Sequence, residues 1–126
     1  EAVDVLSPCA VGGVVNEQTA AEVNARVVCG AANNILAAEA AEDTLRERGI
    51  LYVPSPLSSA GAVVEGVGKM ILGLADCSEL IDKIAVTTQR ILAEAISSRR
   101  RAGEVARQLA HTRISAARGE PAATTR

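Results

Sequence analysis

The chain has 126 residues, a formal charge of −2 and 48% hydrophobic residues, with one Tyr and neither Phe nor Trp. That length supports one domain with a modest core of Ala, Val, Leu and Ile, and the charge excludes a dedicated nucleic-acid binder, whose field would be basic. No uninterrupted apolar run is long enough for a membrane span, and no basic segment precedes an apolar one as in a signal peptide.

In chain order, Val3 to Leu6 predicts a short buried strand that stops at Ser7-Pro8, where proline removes a ladder donor. Gly12-Gly13 predicts a turn. Thr19 with Glu22 three residues on reads as a capping box for a short helix through Asn24. Arg26 to Cys29 is a second strand, ended by Gly30-Ala31-Ala32-Asn33-Asn34. From Glu39 to Arg48, Ala41, Leu45 and Arg48 fall at helical spacing, with acids early and arginines late, as the helix dipole favours. Gly49 supplies the C-terminal cap, and Ile50 to Val53 form a third strand.

Beyond Pro56 the period becomes helical. Ser58 or Ser59 caps a helix carrying Val63, Val67, Met70 and Leu74. Glycines 61, 66, 68 and 73 each cost that helix about 1 kcal/mol, so close packing is expected to offset them. Asp76 caps a long helix reaching about Ser98, and Ala102 to Ala117 form another with Val105, Leu109 and Ile114 on one face. Residues 119–126 are expected to be a disordered tail.

Apolar strands alternating with helices are the mark of parallel βα units. The fold expected is therefore α/β: residues 1–57 form half of a Rossmann-like doubly wound fold, with three parallel strands, and residues 58–118 form C-terminal helices packed on it. Seven arginines against two glutamates make residues 99–126 basic, in contrast to the acidic remainder.

Pro8-Cys9-Ala10 with Gly12-Gly13, and Gly30-Ala31-Ala32-Asn33-Asn34, resemble the C-terminal half of the dinucleotide-binding region in the Glu/Leu/Phe/Val dehydrogenase family. The likeness is greatest to the actinobacterial valine and leucine dehydrogenase branch and runs from Asp4 to about Arg118. It implies the second βαβαβ half of the cofactor domain, the half that faces the nicotinamide. It also implies that the catalytic domain, its lysine and aspartate, and the glycine fingerprint lie outside these residues. The family reaction is oxidative deamination of an L-amino acid to a 2-oxo acid with NAD. This chain alone is expected not to catalyse it, and to bind NAD weakly or not at all without the first half.

By the same resemblance, Pro8, Cys9, Ala10, Ala32 and Asn33 line the cofactor. An asparagine amide both donates and accepts, which suits a ribose hydroxyl, while Asn33-Asn34 as a plain turn is an equal alternative. The family's Asn-Ala-Gly-Gly signature aligns with Ser59-Ala60-Gly61-Ala62, so Ser59 stands in the place of an amide and that contact is lost or changed. Gly68-Lys69-Met70 departs from the family's acidic pair and aromatics. Gly66-Val67-Gly68-Lys69 lacks the earlier glycine and following hydroxyl of a phosphate loop and reads as helix packing.

No catalytic residue and no metal site is assigned. His111 reads as a solvated surface residue, and Arg99-Arg100-Arg101 as a helix junction in water rather than a phosphate or acidic-partner site. Cys9, Cys29 and Cys77 form no disulfide framework or zinc motif, which suits a reducing cytoplasm. Cys9 and Cys29 both fall at strand carboxyl ends and are candidate neighbours, with buried structural thiols the more common case.

Three functions stay open. One is the NAD-binding portion of a branched-chain amino-acid dehydrogenase, completed by a complementary dehydrogenase chain or by upstream sequence. Another is a non-catalytic oligomerising or binding module derived from a dehydrogenase, with Val3 to Leu6 of two copies pairing across a two-fold. The last is a small repurposed enzyme of secondary metabolism.

Overall fold

A computed structural model describes residues 2–119. Three parallel strands, β1 (Val3–Leu6), β2 (Ala25–Val28) and β3 (Leu51–Tyr52), form one sheet in the order β1-β2-β3. Val5 stands opposite Val27, and Val27 opposite Leu51. Helix α1 (Glu17–Glu22) joins the first two strands and α2 (Ala40–Glu47) the next two. Four helices follow: α3 (Ser55–Ser58), α4 (Ala60–Met70), α5 (Ser78–Ser98) and α6 (Ala102–Arg118). This is the half-Rossmann sheet with C-terminal helices that the sequence predicts. The expected tail lies, from residue 120 onward, outside the described residues.

The main core lies between the sheet and the first two helices. Val28, Ile35, Ala20, Ala41 and Leu45 are fully buried there, with Tyr52 closing one end. β1 does not share that burial. All four of its residues are exposed, Val5 to 52%, against the expectation of a buried strand. The reason is what covers each edge: among the described residues β1 packs substantially only against β2, whereas β3, the other edge of the sheet, is also covered by α2.

Two caps fall earlier or later than the sequence suggests. Asn16, not Thr19, caps α1: its Oδ1 accepts the Thr19 N–H at 2.9 Å while Thr19 Oγ1 accepts the Asn16 N–H at 2.9 Å. The box is thus Asn16 with Thr19 at its third position, because a hydroxyl serves there as well as a carboxylate. At α5 Cys77 holds the cap position, while Asp76 Oδ1 accepts from the Ser78 N–H and hydroxyl at 3.0 and 2.7 Å. Helix α3, with Pro56 in its first turn, was not foreseen.

The glycines near α4 divide. A Cβ at Gly68 would stand 2.5 Å from Cys77 Sγ, so that glycine admits the start of α5. Gly61 and Gly66 have nothing within 4 Å, and their propensity cost is not offset by packing within the described residues. Gly73 lies beyond α4, at φ +65°.

A second core of Ile91, Ala95, Ala102 and Val105 holds α5 against α6. It is fastened to the first by charge. Arg101 grips Asp43 with two guanidinium nitrogens, the Nε at 3.0 Å, and its Nη1 donates to Glu39 at 2.8 Å. The arginine run is therefore a helix junction, but Arg101 is committed to α2 rather than to water. Glu42, also on α2, is buried and accepts the Gly103 N–H at 3.3 Å, capping α6 from a neighbouring helix. Burial pushes the Glu42 carboxyl up, while the Gly103 and Ala102 amides pull it back. The Arg101 guanidinium holds Asp43 below its ordinary value.

Two predictions follow from this packing. Gly66→Ala raises unfolding stability by about 0.5–1 kcal/mol in denaturant melts, whereas Gly68→Ala lowers it because the new methyl meets Cys77 Sγ. A folded pKa depressed at Asp43 means that the pair contributes stability above the ordinary aspartate value and loses it as pH falls through the folded one. Asp43→Asn is accordingly less stable than the unsubstituted chain at neutral pH, and the difference closes in acid; a gap that persists at low pH removes the charge account.

Candidate functional site

In an open parallel sheet the carboxyl ends of the strands form the rim where a ligand binds. Here that rim is knit by backbone. Gly30 passes so close to Pro8 that a Cβ would lie 2.0 Å from the Pro8 carbonyl oxygen, so only glycine permits the crossing. The Ala32 N–H donates to Pro8 O at 3.0 Å, and the Ala31 N–H to Cys9 Sγ at 3.5 Å. Gly12 makes a second close approach, to the Asn33 carbonyl, and Gly13 N donates to Asn34 O at 2.7 Å. Asn34 takes a left-handed φ of +50°, as a turn asparagine does.

The third loop joins through serines. Ser58 Oγ donates to Gly30 O at 2.7 Å, tying the end of β3 to the end of β2. Ser55 is buried: its Oγ accepts the Ile35 N–H at 3.0 Å, and its own N–H donates to the Tyr52 hydroxyl at 3.2 Å. The two hydroxyls meet at 3.1 Å. This Tyr52–Ser55–Ile35 network fixes the floor of the rim, and the sequence reading missed it. The available signal was a serine between prolines, Pro54-Ser55-Pro56, directly after a strand.

Among the predicted site residues, the structure brings Pro8, Cys9 and Ala32 together across β1 and β2. Ala32 is buried, so only its backbone serves the rim, while Ala10 follows Cys9 in an exposed turn. Asn33 is exposed and shares a cleft of about 440 Å³ with Asn34, Ser55, Pro56, Ser59 and Val63. Ser59 Oγ spends its proton on the Ser55 carbonyl at 2.6 Å, which leaves it only as an acceptor toward the cleft. Of the remaining candidates, His111 is exposed on α6, and the described residues include no cluster of metal-ligating side chains.

The rim carries two thiols of unlike character. The Ala31 N–H and the Ser7 hydroxyl hold Cys9 below the ordinary thiol value, and Cys9 is exposed. Burial, and next the charge of Cys9, push Cys29 up. Around the thiols the rim is surfaced by backbone, by the exposed Asn33 side chain and by a small apolar wall of Val63 and Val64. No described helix is long and apolar enough to cross a membrane.

Residues 1–115 match the Glutamate/Leucine/Phenylalanine/Valine dehydrogenase family. A valine dehydrogenase of Streptomyces coelicolor is 37% identical over 122 residues, covering 96% of this chain and 34% of that protein. One from Streptomyces albus is 41% identical over 96 residues, covering 75% of this chain and 26% of its own length. The crystal structure of L-tryptophan dehydrogenase from Nostoc punctiforme superposes with a TM-score of 0.82 at 30% identity, over 89% of this chain and 34% of that one. The chain thus spans about a third of the length of these relatives.

Ser55→Ala is expected to strand the buried Ile35 N–H and unpair the Tyr52 hydroxyl, at a cost of about 1–3 kcal/mol. Thermal or urea unfolding checks this, and Ser59→Ala, whose bond only repeats a helix contact, should cost much less.

Proposed function

The chain belongs to the glutamate/leucine/phenylalanine/valine dehydrogenase family, and we propose that it forms the nicotinamide-side lobe of the NAD-binding domain in a branched-chain amino-acid dehydrogenase. The single observation that carries this reading is the rim itself. Pro8, Cys9, Ala10, Ala32 and Asn33 occupy the carboxyl ends of β1 and β2, and Gly12 and Gly30 let their backbones approach closely. NAD, when bound, supplies the hydride acceptor. The part of this chain is to seat it: backbone groups of the Pro8 and Ala32 loops set its depth, and the Asn33 amide holds a ribose hydroxyl.

Ser59 contributes an acceptor where relatives of the expected pattern carry an amide. Beside it Val63 and Val64 give the cleft an apolar wall, which suits an aliphatic substrate side chain. The identity to valine dehydrogenases supports a branched-chain substrate. The catalytic lysine and aspartate come from the portion of the relatives that this chain does not span. The setting that fits such chemistry is the cytoplasm.

A second reading concerns the partner. Among the described residues β1 presents an exposed edge that pairs with no further strand and leaves Val3 and Val5 uncovered, and such an edge requires a cover. A complementary dehydrogenase segment or a second copy paired strand to strand provides it. The purified chain should sediment as a homodimer at micromolar concentration when no such segment is supplied; a monomer at that concentration removes the homodimer.

For the main reading, the chain alone should show no valine-dependent reduction of NAD. Mixing or fusing it with the upstream two-thirds of a Streptomyces valine dehydrogenase should restore the activity. In that assembly Asn33→Ala is expected to weaken NAD by about tenfold, or 1.4 kcal/mol. Unchanged affinity would leave Asn33 as a turn residue only.

A further inference from the structure

Cys9 and Cys29 are twenty positions apart in sequence, yet the fold laces their backbones together. The Cys29 N–H donates to Leu6 O at 3.0 Å, Gly30 crosses Pro8, and the Ala31 N–H reaches Cys9 Sγ itself. Leu6 stands opposite Val28, so Ser7 falls opposite Cys29, and the Ser7 hydroxyl lies 3.3 Å from Cys9 Sγ, which turns the Cys9 side chain back toward the end of β2. Cys9 itself stands two positions beyond the partner of Cys29, so a bond also requires its backbone to close in to the Cα separations of about 4.4–6.8 Å that a disulfide spans. The segment that carries it, residues 7–13, is largely exposed and contains no regular helix or strand.

The two thiols also differ in the way that a two-step oxidation needs. Cys9 is open to solvent and carries hydrogen-bond donors that favour its thiolate, the nucleophilic form. Cys29 is half-buried and keeps its proton more firmly. The third thiol, Cys77, is buried against Gly68 at the start of α5 and takes no part.

We propose that Cys9 and Cys29 form a reversible intramolecular disulfide across the strand-end rim, with a hydroperoxide as oxidant. The Cys9 thiolate attacks the peroxide, the O–O bond breaks, and a sulfenic acid forms as hydroxide leaves and takes a proton to become water. The Cys29 thiolate then attacks the Cys9 sulfur, the S–O bond breaks, and the second oxygen departs as water with the proton given up by Cys29. Each sulfur loses one electron and the peroxide gains both. A dithiol reductant reverses the change. Closing the bond withdraws Cys9 Sγ from the Ala31 N–H and draws the first loop over the end of β2.

The test is peptide mapping of the 126-residue chain after brief exposure of the reduced protein to hydrogen peroxide. The intact mass should fall by two hydrogen atoms, one linked peptide pair should contain Cys9 and Cys29, and Cys77 should remain open to alkylation once unfolded. In Cys29→Ser the Cys9 sulfenic acid persists and is captured by dimedone. In Cys9→Ser the Cys29 thiol survives the same exposure. The proposal fails if the unsubstituted chain yields a bond between two chains, or Cys9 sulfinic acid with no linked peptide. It also fails if the unsubstituted chain and Cys29→Ser trap equal amounts of dimedone. These outcomes do not depend on whether NAD binds.

Discussion

Among the glycines of the described residues, the one with least room for a side chain is Gly30, where it passes Pro8. There is no room for a methyl group between them, since its carbon would fall 2.0 Å from the Pro8 oxygen and 2.7 Å from the Pro8 nitrogen. Everything at the rim follows from that contact. It sets the loop after β1 onto the loop after β2, lets Ala32 donate to Pro8, and places Cys9 against Ala31. Ser58 then anchors the third loop to the carbonyl of the same glycine. A rim made largely of backbone has few side chains to lose. It depends instead on small residues at fixed places, which is why Gly12, Gly30 and Ala32 matter more to it than any charge.

The rest of the chain is held to this sheet by a different force. The apolar contacts of α5 with α6 form a core of their own, and the link to the first core is polar. Two carboxylates on α2, Glu42 and Asp43, and Glu39 at its N-cap face Arg101, Arg107 and the amino end of α6. Glu42 serves as a cap supplied from another helix, and Gly103 leaves room for its carboxylate, since a Cβ there would lie 3.0 Å away. Partly exposed ion pairs contribute little singly. Here they act as a register, fixing which turn of α6 meets which turn of α2.

Two features sit badly with an isolated globule. One is an edge strand whose valines are open to solvent. The other is an apolar surface at the end of α4, where Met70, Ile71 and Leu72 are well exposed. The chain spans about a third of the length of the longest-matched relatives.

By itself the sequence determined the order of elements apart from α3. β-branched runs ending in glycine or proline, and acid-to-base helices between them, are local patterns, and they marked three parallel strands, α2, α5 and α6 within a residue or two. The family motifs Pro8-Cys9-Ala10 and Gly30-Ala31-Ala32-Asn33-Asn34 likewise marked the rim. Tertiary structure alone decided that β1 is exposed, that Asn16 rather than Thr19 caps α1, and that Ser55 joins Tyr52 beneath the cleft. It also decided that Ser59 turns its proton inward and that Arg101 reaches Asp43. Two of these depend on which distant groups meet: Arg101 with Asp43 across 58 positions, and β1 with whatever packs on it; the Asn16, Ser55 and Ser59 bonds join near neighbours, and the folded backbone selects them from several local alternatives. Periodicity and capping signals record only what lies within a few residues along the chain.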